Sequence, residues 1–341
     1  MALTPDAALD LLRSPFALED QSGTQAFVVD AAGGSVDLGA VAPTLRALPC
    51  VTVAISSDGA SPVGVQPERA PAWVAPFDVV VTEDEVDDLT TAVGRSPMAS
   101  LALVQLLRAG EALDVWGGLL AESTTYSMLQ AGPEFARWLA SRPAVRSEPS
   151  VEPRFEPAVV VAREGARVHV TLNRPNVHNA FNTAMRDELV ATLRAVVADA
   201  SIAEVHLAGA GPSFCSGGDL DEFGTFPDPP AAHHARMTRS PAWWLAQCAA
   251  RTSVALHGAC IGAGIELAAF AGDVTATEDA YFQLPEVAFG LVPGAGGTVS
   301  LARRIGRQRT AWLALSGRRI DARTALAWGL VDRVSGRPHP R

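Results

Sequence analysis

The chain has no lysine, since all 27 of its Lys+Arg residues are arginine. That absence excludes Schiff-base catalysis through a lysine amine. It also excludes a Walker A phosphate loop, whatever the run Gly294-Ala295-Gly296-Gly297 suggests. Any phosphate must be held by arginine or by backbone amides. Cysteine is scarce, and Cys50, Cys215, Cys248 and Cys260 show no CxxC spacing, so neither a zinc site nor a disulfide framework is indicated. A reduced, cytoplasmic protein is the expectation. No apolar run is long enough to cross a bilayer. The opening MALTPDAALDLL carries acids and no basic stretch, unlike a signal peptide. Positive charge is short overall, and a net charge of −10 disfavours nucleic acid as a partner.

What is present is enough for a packed core. The 341 residues are 48% hydrophobic and 19% charged, which fits one large globular domain or two modest ones. Charge is unevenly spread, because from Arg303 to Arg341 ten arginines face only Asp321 and Asp332. One reading is a solvated helix face with a disordered end at Ser335–Arg341; another is a patch facing an anion or a second subunit.

The stretch from Arg142 to Pro157, RPAVRSEPSVEPRFEP, reads as a linker that divides the chain into 1–150 and 155–341. Beyond it, 158–161 and 167–172 alternate as strands around Glu164-Gly165. Residues 183–200 place Met185, Leu189, Leu193 and Val196 on one helical face, and 204–208 is the next strand. Alternating strand and helix of this kind predicts an α/β fold. Before the linker, 26–29, 51–55 and 79–81 read as strands and 41–48 as a helix. The spacing predicts further helices over 96–108, 111–120 and 126–141.

Two acids stand out in apolar surroundings. Glu266 follows the turn Gly262-Ala263-Gly264, and Glu286 follows Pro285 and leads into Val287-Ala288-Phe289. An isolated glutamate after a glycine turn ordinarily caps a helix or faces solvent. Two carboxylates in apolar segments fit general acid–base work, where one group gives a proton and the other takes one.

The segments VALHGACIGAGIELA, FQLPEVAFGLVPGAGGT and SFCSGGDL resemble the enoyl-CoA hydratase/isomerase (crotonase) superfamily. So do Asn173-Arg174-Pro175 with Asn179-Ala180, and Leu315-Ser316-Gly317 through Gly329-Leu330-Val331. The resemblance covers about residues 155–334. It implies an α/β, crotonase-like spiral of ββα units with a helical closing region. In the family, closing helices follow the Gly-Leu-Val segment; here SPMASLALVQLLRAG and AGPEFARWLASRP, within 96–143, resemble them but come first. LRALPCVTVAISSDG and APFDVVVTEDE resemble eroded copies of the LHGACIG and AGDVTATED regions. Residues 1–150 therefore read as a shortened, degenerate crotonase-like unit that keeps its helical end. Leu101, Leu103, Val104, Leu107, Phe135, Trp138 and Leu139 recur there at helical spacing and need an apolar partner.

The resemblance implies an oxyanion hole made by the amides of Gly218 and Ala263, the latter at a helix N-terminus. Each loop alone would ordinarily be no more than a tight turn. Glu266 would deprotonate a water and Glu286 would protonate the α-carbon. Substrate contacts fall on Gly217, Asp219, Leu220, Asn179, Ala180, His178, Trp243, Pro293 and Gly294. His178 stands where many relatives carry a stronger cation for the CoA phosphates. Phe223 to Pro241, leading into Trp243-Trp244, would form a mobile wall of the acyl pocket. The expected partner is an acyl-CoA thioester, with coenzyme A part of the substrate and no separate cofactor or metal. A homo-oligomer, trimer or hexamer, completes the expectation. Cys215 lacks a histidine partner and reads as a small core residue, and the adjacent His233 and His234 point apart with no third metal ligand. Hydration of an enoyl-CoA leads; double-bond isomerisation and a non-catalytic CoA-binding or scaffolding role remain open.

Overall fold

A computed structural model of the chain describes residues 2–30, 38–56, 74–143 and 156–336. Most of the expected linker (144–155), the end of the terminal tail (337–341) and the last residues of the first eroded copy lie outside the described residues.

The strands in chain order are β1 Ala26–Asp30, β2 Val51–Ile55, β3 Val79–Val81, β4 Val159–Glu164, β5 Arg167–Leu172 and β6 Glu204–Gly209. They continue as β7 Thr252–Leu256, β8 Ala259–Ile261, β9 Asp273–Thr277, β10 Tyr281–Gln283, β11 Ile320–Asp321 and β12 Arg333–Ser335. They form three sheets. β1-β2-β3 is parallel, β12-β9-β7-β6-β5-β4 is parallel except for the β4–β5 hairpin, and β11-β10-β8 is small and mixed. In β5, Val168, Val170 and Leu172 are buried while Arg167 is exposed, the two-residue alternation of a strand with one covered face. The covering helix Thr183–Ala198 begins at Asn182, whose side chain accepts from the Met185 amide, and buries Met185, Leu189, Leu193 and Val196.

Before residue 143 the strands lie where the periodicity puts them, but two helix boundaries move. The helices are Pro97–Gly110, Val115–Gln130 and Pro133–Ser141. Residues 111–113 are not helical because Asp114 caps the second helix, accepting from the Gly117 amide at 2.7 Å. Tyr126 belongs to this second helix, and the break comes at Gly132-Pro133, where proline starts a new helix without losing a needed donor. The expected 41–48 helix occupies Ala42–Ala47.

One apolar core runs through both sides of the 144–155 gap. It takes Val53, Leu103, Leu107 and Phe135 together with Leu172, Leu207, Phe282 and Leu313. A smaller cluster holds Ala8, Leu12, Phe27, Leu45 and Leu48. Within the described part of the arginine-rich segment, Arg303, Arg307 and Arg318 are turned onto acids and carbonyls of the first half, while Arg304 and Arg333 pair with Asp332 and Asp273; most of the end expected to be disordered lies outside the described residues. Arg307, nearly fully buried, reaches Asp78 at 3.1 Å and Glu111 at 3.3 Å. Arg318 reaches Glu85 at 3.4 Å and Asp88 at 2.6 Å, and Arg303 donates to the Leu113 carbonyl at 2.9 Å. No described helix is long and apolar enough to cross a membrane.

Candidate active site

The loop before residue 218 is held against β8 by a short parallel bridge, Cys215 to Cys260. The Cys215 amide donates to the Ala259 carbonyl and the Ile261 amide donates to that of Cys215, both at 3.0 Å. This pairing brings Gly217-Gly218 beside Gly262-Ala263. Among the described residues, no acceptor takes the amide of Gly218 or of Ala263, and both residues line one cavity of about 210 Å³. Ala263 opens the helix Ala263–Ala268, so its free N–H is one of the donors that every helix start leaves unpaired.

Glu266 lies on that helix and is 1% exposed. Its Oε2 accepts from the amides of Ala295 at 2.7 Å and Gly297 at 2.9 Å. Glu286 begins the short turn Glu286–Phe289, and its Oε2 is buried with no described hydrogen-bond partner. A side chain at Gly262, whose φ of +48° already favours glycine, would put its Cβ 2.4 Å from Glu286 Oε1. The two carboxyls therefore differ in environment. Hydrogen bonds from two amides favour the ionised form of Glu266, whereas Glu286 has only its own backbone amide to do so and its Oε2 has no described partner. Burial pushes Glu286 up from 4.5 to about 8, helped by the charge of Glu122. Burial and the neighbouring charges of Glu286 and Glu122 also push Glu266 well up. The three acids cannot all be ionised at neutral pH.

Glu122 is the residue that reading the sequence missed. It comes from the Val115–Gln130 helix, is 2% exposed and lines the same cavity. Its carboxylate accepts from the amides of Gly296 at 2.7 Å and Thr298 at 2.9 Å and from the Thr298 hydroxyl at 2.6 Å. Burial raises it to about 7. It thus grips the same 295–298 loop whose other amides hold Glu266. The sequence carries no mark of it, because the helix VWGGLLAESTTYSMLQ mixes apolar residues with serine, threonine and glutamine, and an acid there does not stand out as Glu266 and Glu286 do. Tyr126 and Arg236, also in the lining, were missed as well.

Of the residues assigned from the sequence, Gly218, Asp219, Ala263, Glu266, Glu286 and Gly294 line the cavity; Gly217, Leu220, His178, Asn179, Ala180, Trp243 and Pro293 do not. The reasons are local. Asn179 is fully buried in a left-handed conformation and ties its loop to the carbonyls of Ala210, Ser213 and Phe214. The Ala180 carbonyl is taken by the Arg174 guanidinium, which also pairs with Asp219 at 2.9 Å. His178 Nδ1 is 3.0 Å from Ser213 Oγ. The Leu220 carbonyl accepts from Arg142, and Trp243 packs edge-on against Trp116 with centroids 5.0 Å apart. The Cys215 thiol is buried and pushed up to about 12, unsuited to nucleophilic work. His233 Nδ1 meets Ser123 Oγ at 2.9 Å, and among the described residues no three side chains form a metal-ligating group.

The free amides can be tested directly. A Cβ on Gly218 would lie 2.8 Å from Phe223 Cε2, so any replacement disturbs that ring. The useful comparison is Gly218→Ala against Gly218→Pro, since both add the Cβ and only proline removes the N–H. Proline should cost about 3 kcal/mol more in transition-state stabilisation. Equal kcat/KM values for the two would show that shape, and not the donor, is what matters.

An α/β sheet carrying paired carboxylates beside two free amides is the arrangement of a crotonase-type acyl-CoA enzyme. The family model described as enoyl-CoA hydratase/isomerase matches residues 163–339, and the chain belongs to that family. It is 37% identical over 177 residues to 2,3-dehydroadipyl-CoA hydratase of Escherichia coli, covering 52% of this chain and 68% of that one. It is 35% identical over 173 residues to mevalonyl-coenzyme A hydratase of Beauveria bassiana, covering 48% and 62%. A solved structure from Mycobacterium abscessus, named as an enoyl-CoA hydratase/isomerase, superposes with TM-score 0.50 at 33% identity, over 52% of this chain and 71% of that one.

Proposed function

We propose that this protein adds water across the double bond of a 2-enoyl-CoA thioester to give a 3-hydroxyacyl-CoA. The observation that carries the reading is the cavity in which Gly218, Ala263, Glu266 and Glu286 meet. With the thioester oxygen on the two amides, negative charge that builds there is stabilised by fixed dipoles. Glu266 takes a proton from water as the oxygen attacks the β-carbon, and Glu286 gives its proton to the α-carbon. The proton that starts on Glu286 is thereby matched by one that ends on Glu266. Relatives named as hydratases support this reading, which rests here on the chemistry of the two acids.

Isomerisation needs only proton shuttling and is served by the same acids, so the family description alone does not separate the two. Incubation with crotonyl-CoA in ¹⁸O-labelled water does. Loss of the conjugated-enoyl absorbance with label entering the product is expected. Retained absorbance, or a migrated double bond without label, would overturn hydration. The cytoplasmic setting, which rests on the scattered cysteines, and the trimeric or hexameric assembly, which rests on the resemblance, belong to the same proposal.

A further inference from the structure

The cavity wall contains a charge that the hydration chemistry does not use. Arg236 lies on the helix Pro229–Thr238, against Tyr126 on the Val115–Gln130 helix, with its guanidinium carbon 4.5 Å from the ring centroid. Its Nε donates to Ser123 Oγ at 3.1 Å and its Nη1 to Gln130 Oε1 at 3.2 Å. Its Nη2 donates to the Ser123 carbonyl at 3.3 Å and to the Ser127 hydroxyl. Every one of these acceptors is neutral. Among the described residues no carboxylate lies within ion-pair distance of Arg236; burial lowers its affinity for the proton, and the more distant carboxylate of Glu122 offsets part of that. The two other arginines of the lining behave differently, since Arg186 and Arg239 share Asp187.

A half-buried cation with only neutral partners is costly, and a tether between two helices does not require one. A guanidinium has five N–H donors, and the four acceptors named leave one to spare. The same lining contributes apolar side chains, among them Leu119, Phe181, Phe226 and Met237. Whatever enters this space enters alongside Glu266 and Glu286, so it is the acyl end of the thioester. Methylenes suit the apolar side chains; the guanidinium suits an anion at their end.

Resting on the acyl-CoA reading, we propose that the cavity selects acyl chains that end in a carboxylate, with Arg236 as the counter-ion. Binding of such a chain supplies a direct ion pair, where the protein offers Arg236 only the more distant charge of Glu122. Charge-assisted pairing of a carboxylate with a guanidinium also adds direction, which fixes where the chain ends. A methyl-ended chain leaves the cation unpaired and desolvates it further.

The test uses binding and so does not depend on turnover. Saturated CoA esters are titrated calorimetrically in matched pairs: butyryl against succinyl, valeryl against glutaryl, hexanoyl against adipoyl, and octanoyl against suberoyl. For at least one length the carboxyl-ended ester should bind about tenfold more tightly or better, a charge-assisted margin. Arg236→Gln should remove most of that margin while Arg236→Lys keeps part of it. Methyl-ended esters binding as tightly at every length, or a margin that survives in Arg236→Gln, would overturn the proposal. If no ester of either kind bound, the acyl-CoA reading itself would have failed, whereas binding without hydration of the matching carboxyl-ended 2-enoyl-CoA would leave the carboxylate subsite standing and remove only the hydration step.

Discussion

Glu286→Gln should lower the rate of enoyl-CoA hydration by about 100-fold or more, and Glu266→Gln should do the same, with CoA-ester binding retained. The two losses should differ in how they depend on pH. Glu286 is held protonated by burial up to about pH 8, so as the acid it works below that value and fails above it. The wild-type rate should therefore fall as pH rises through about 8, and the residual rate of Glu286→Gln should lack this limb.

Stability supplies the control. A carboxyl whose folded pKa is raised keeps its proton in the native state while the unfolded chain releases it. The native protein thus loses stability as pH rises from the ordinary 4.5 through about 8. Glutamine cannot ionise, so Glu286→Gln should become more stable relative to wild type as the solution is made alkaline. A variant at once inactive and more stable at pH 9 has lost chemistry, not structure. Near-native turnover in either variant would sink the paired-acid mechanism.

Much of this site could be read before any coordinates because its parts are close in sequence. Gly262, Ala263 and Glu266 occupy one turn and the helix it starts, and Glu286 follows two strands later. Their spacing carries their geometry. Asn179 and His178 show the opposite case. They lie in a recognisable segment, yet a left-handed conformation and three carbonyl contacts make Asn179 a brace for its own loop. A segment match places such a residue near the site without saying which way its side chain turns.

Glu122 was illegible for a different reason. Its partners, Gly296 and Thr298, lie more than 170 residues further along the chain. Nothing local in the run Leu119 to Ser123 announces them. The arginine-rich segment failed in the same way: counting its charges shows an excess but not that Arg307 will meet Asp78 and Glu111, or Arg318 meet Glu85. Local periodicity found the strands around residues 26, 51 and 79; it could not show that two of them join the larger core.

Residues 156–341 alone should be insoluble or inactive, and should recover when residues 1–150 are supplied as a separate chain. Leu103, Val104, Leu106, Leu107, Leu119 and Phe135 are all buried in the core shared with the second half. At about 1.5–3 kcal/mol for each fully buried side chain, removing them forfeits on the order of 10 kcal/mol, as much as the net stability of a typical domain. The loss is also specific. Without Glu122 the amides of Gly296 and Thr298 lose their acceptor, and the loop whose neighbouring amides hold Glu266 is released. Phe289 would lose Trp138, stacked on it at 4.6 Å, and Arg307 would lose both of its acids, Asp78 and Glu111. An exposed apolar face of this extent favours aggregation. Co-expression should rescue both solubility and hydration, because the contacts are non-covalent and the joining segment 144–155 supplies none of those named. A finer version keeps the chain whole: Glu122→Ala should depress kcat more than Glu122→Gln, since glutamine retains an acceptor for the loop amides. A soluble, fully active 156–341 fragment would show that the second half builds its site unaided, and would leave the first half as an independent unit.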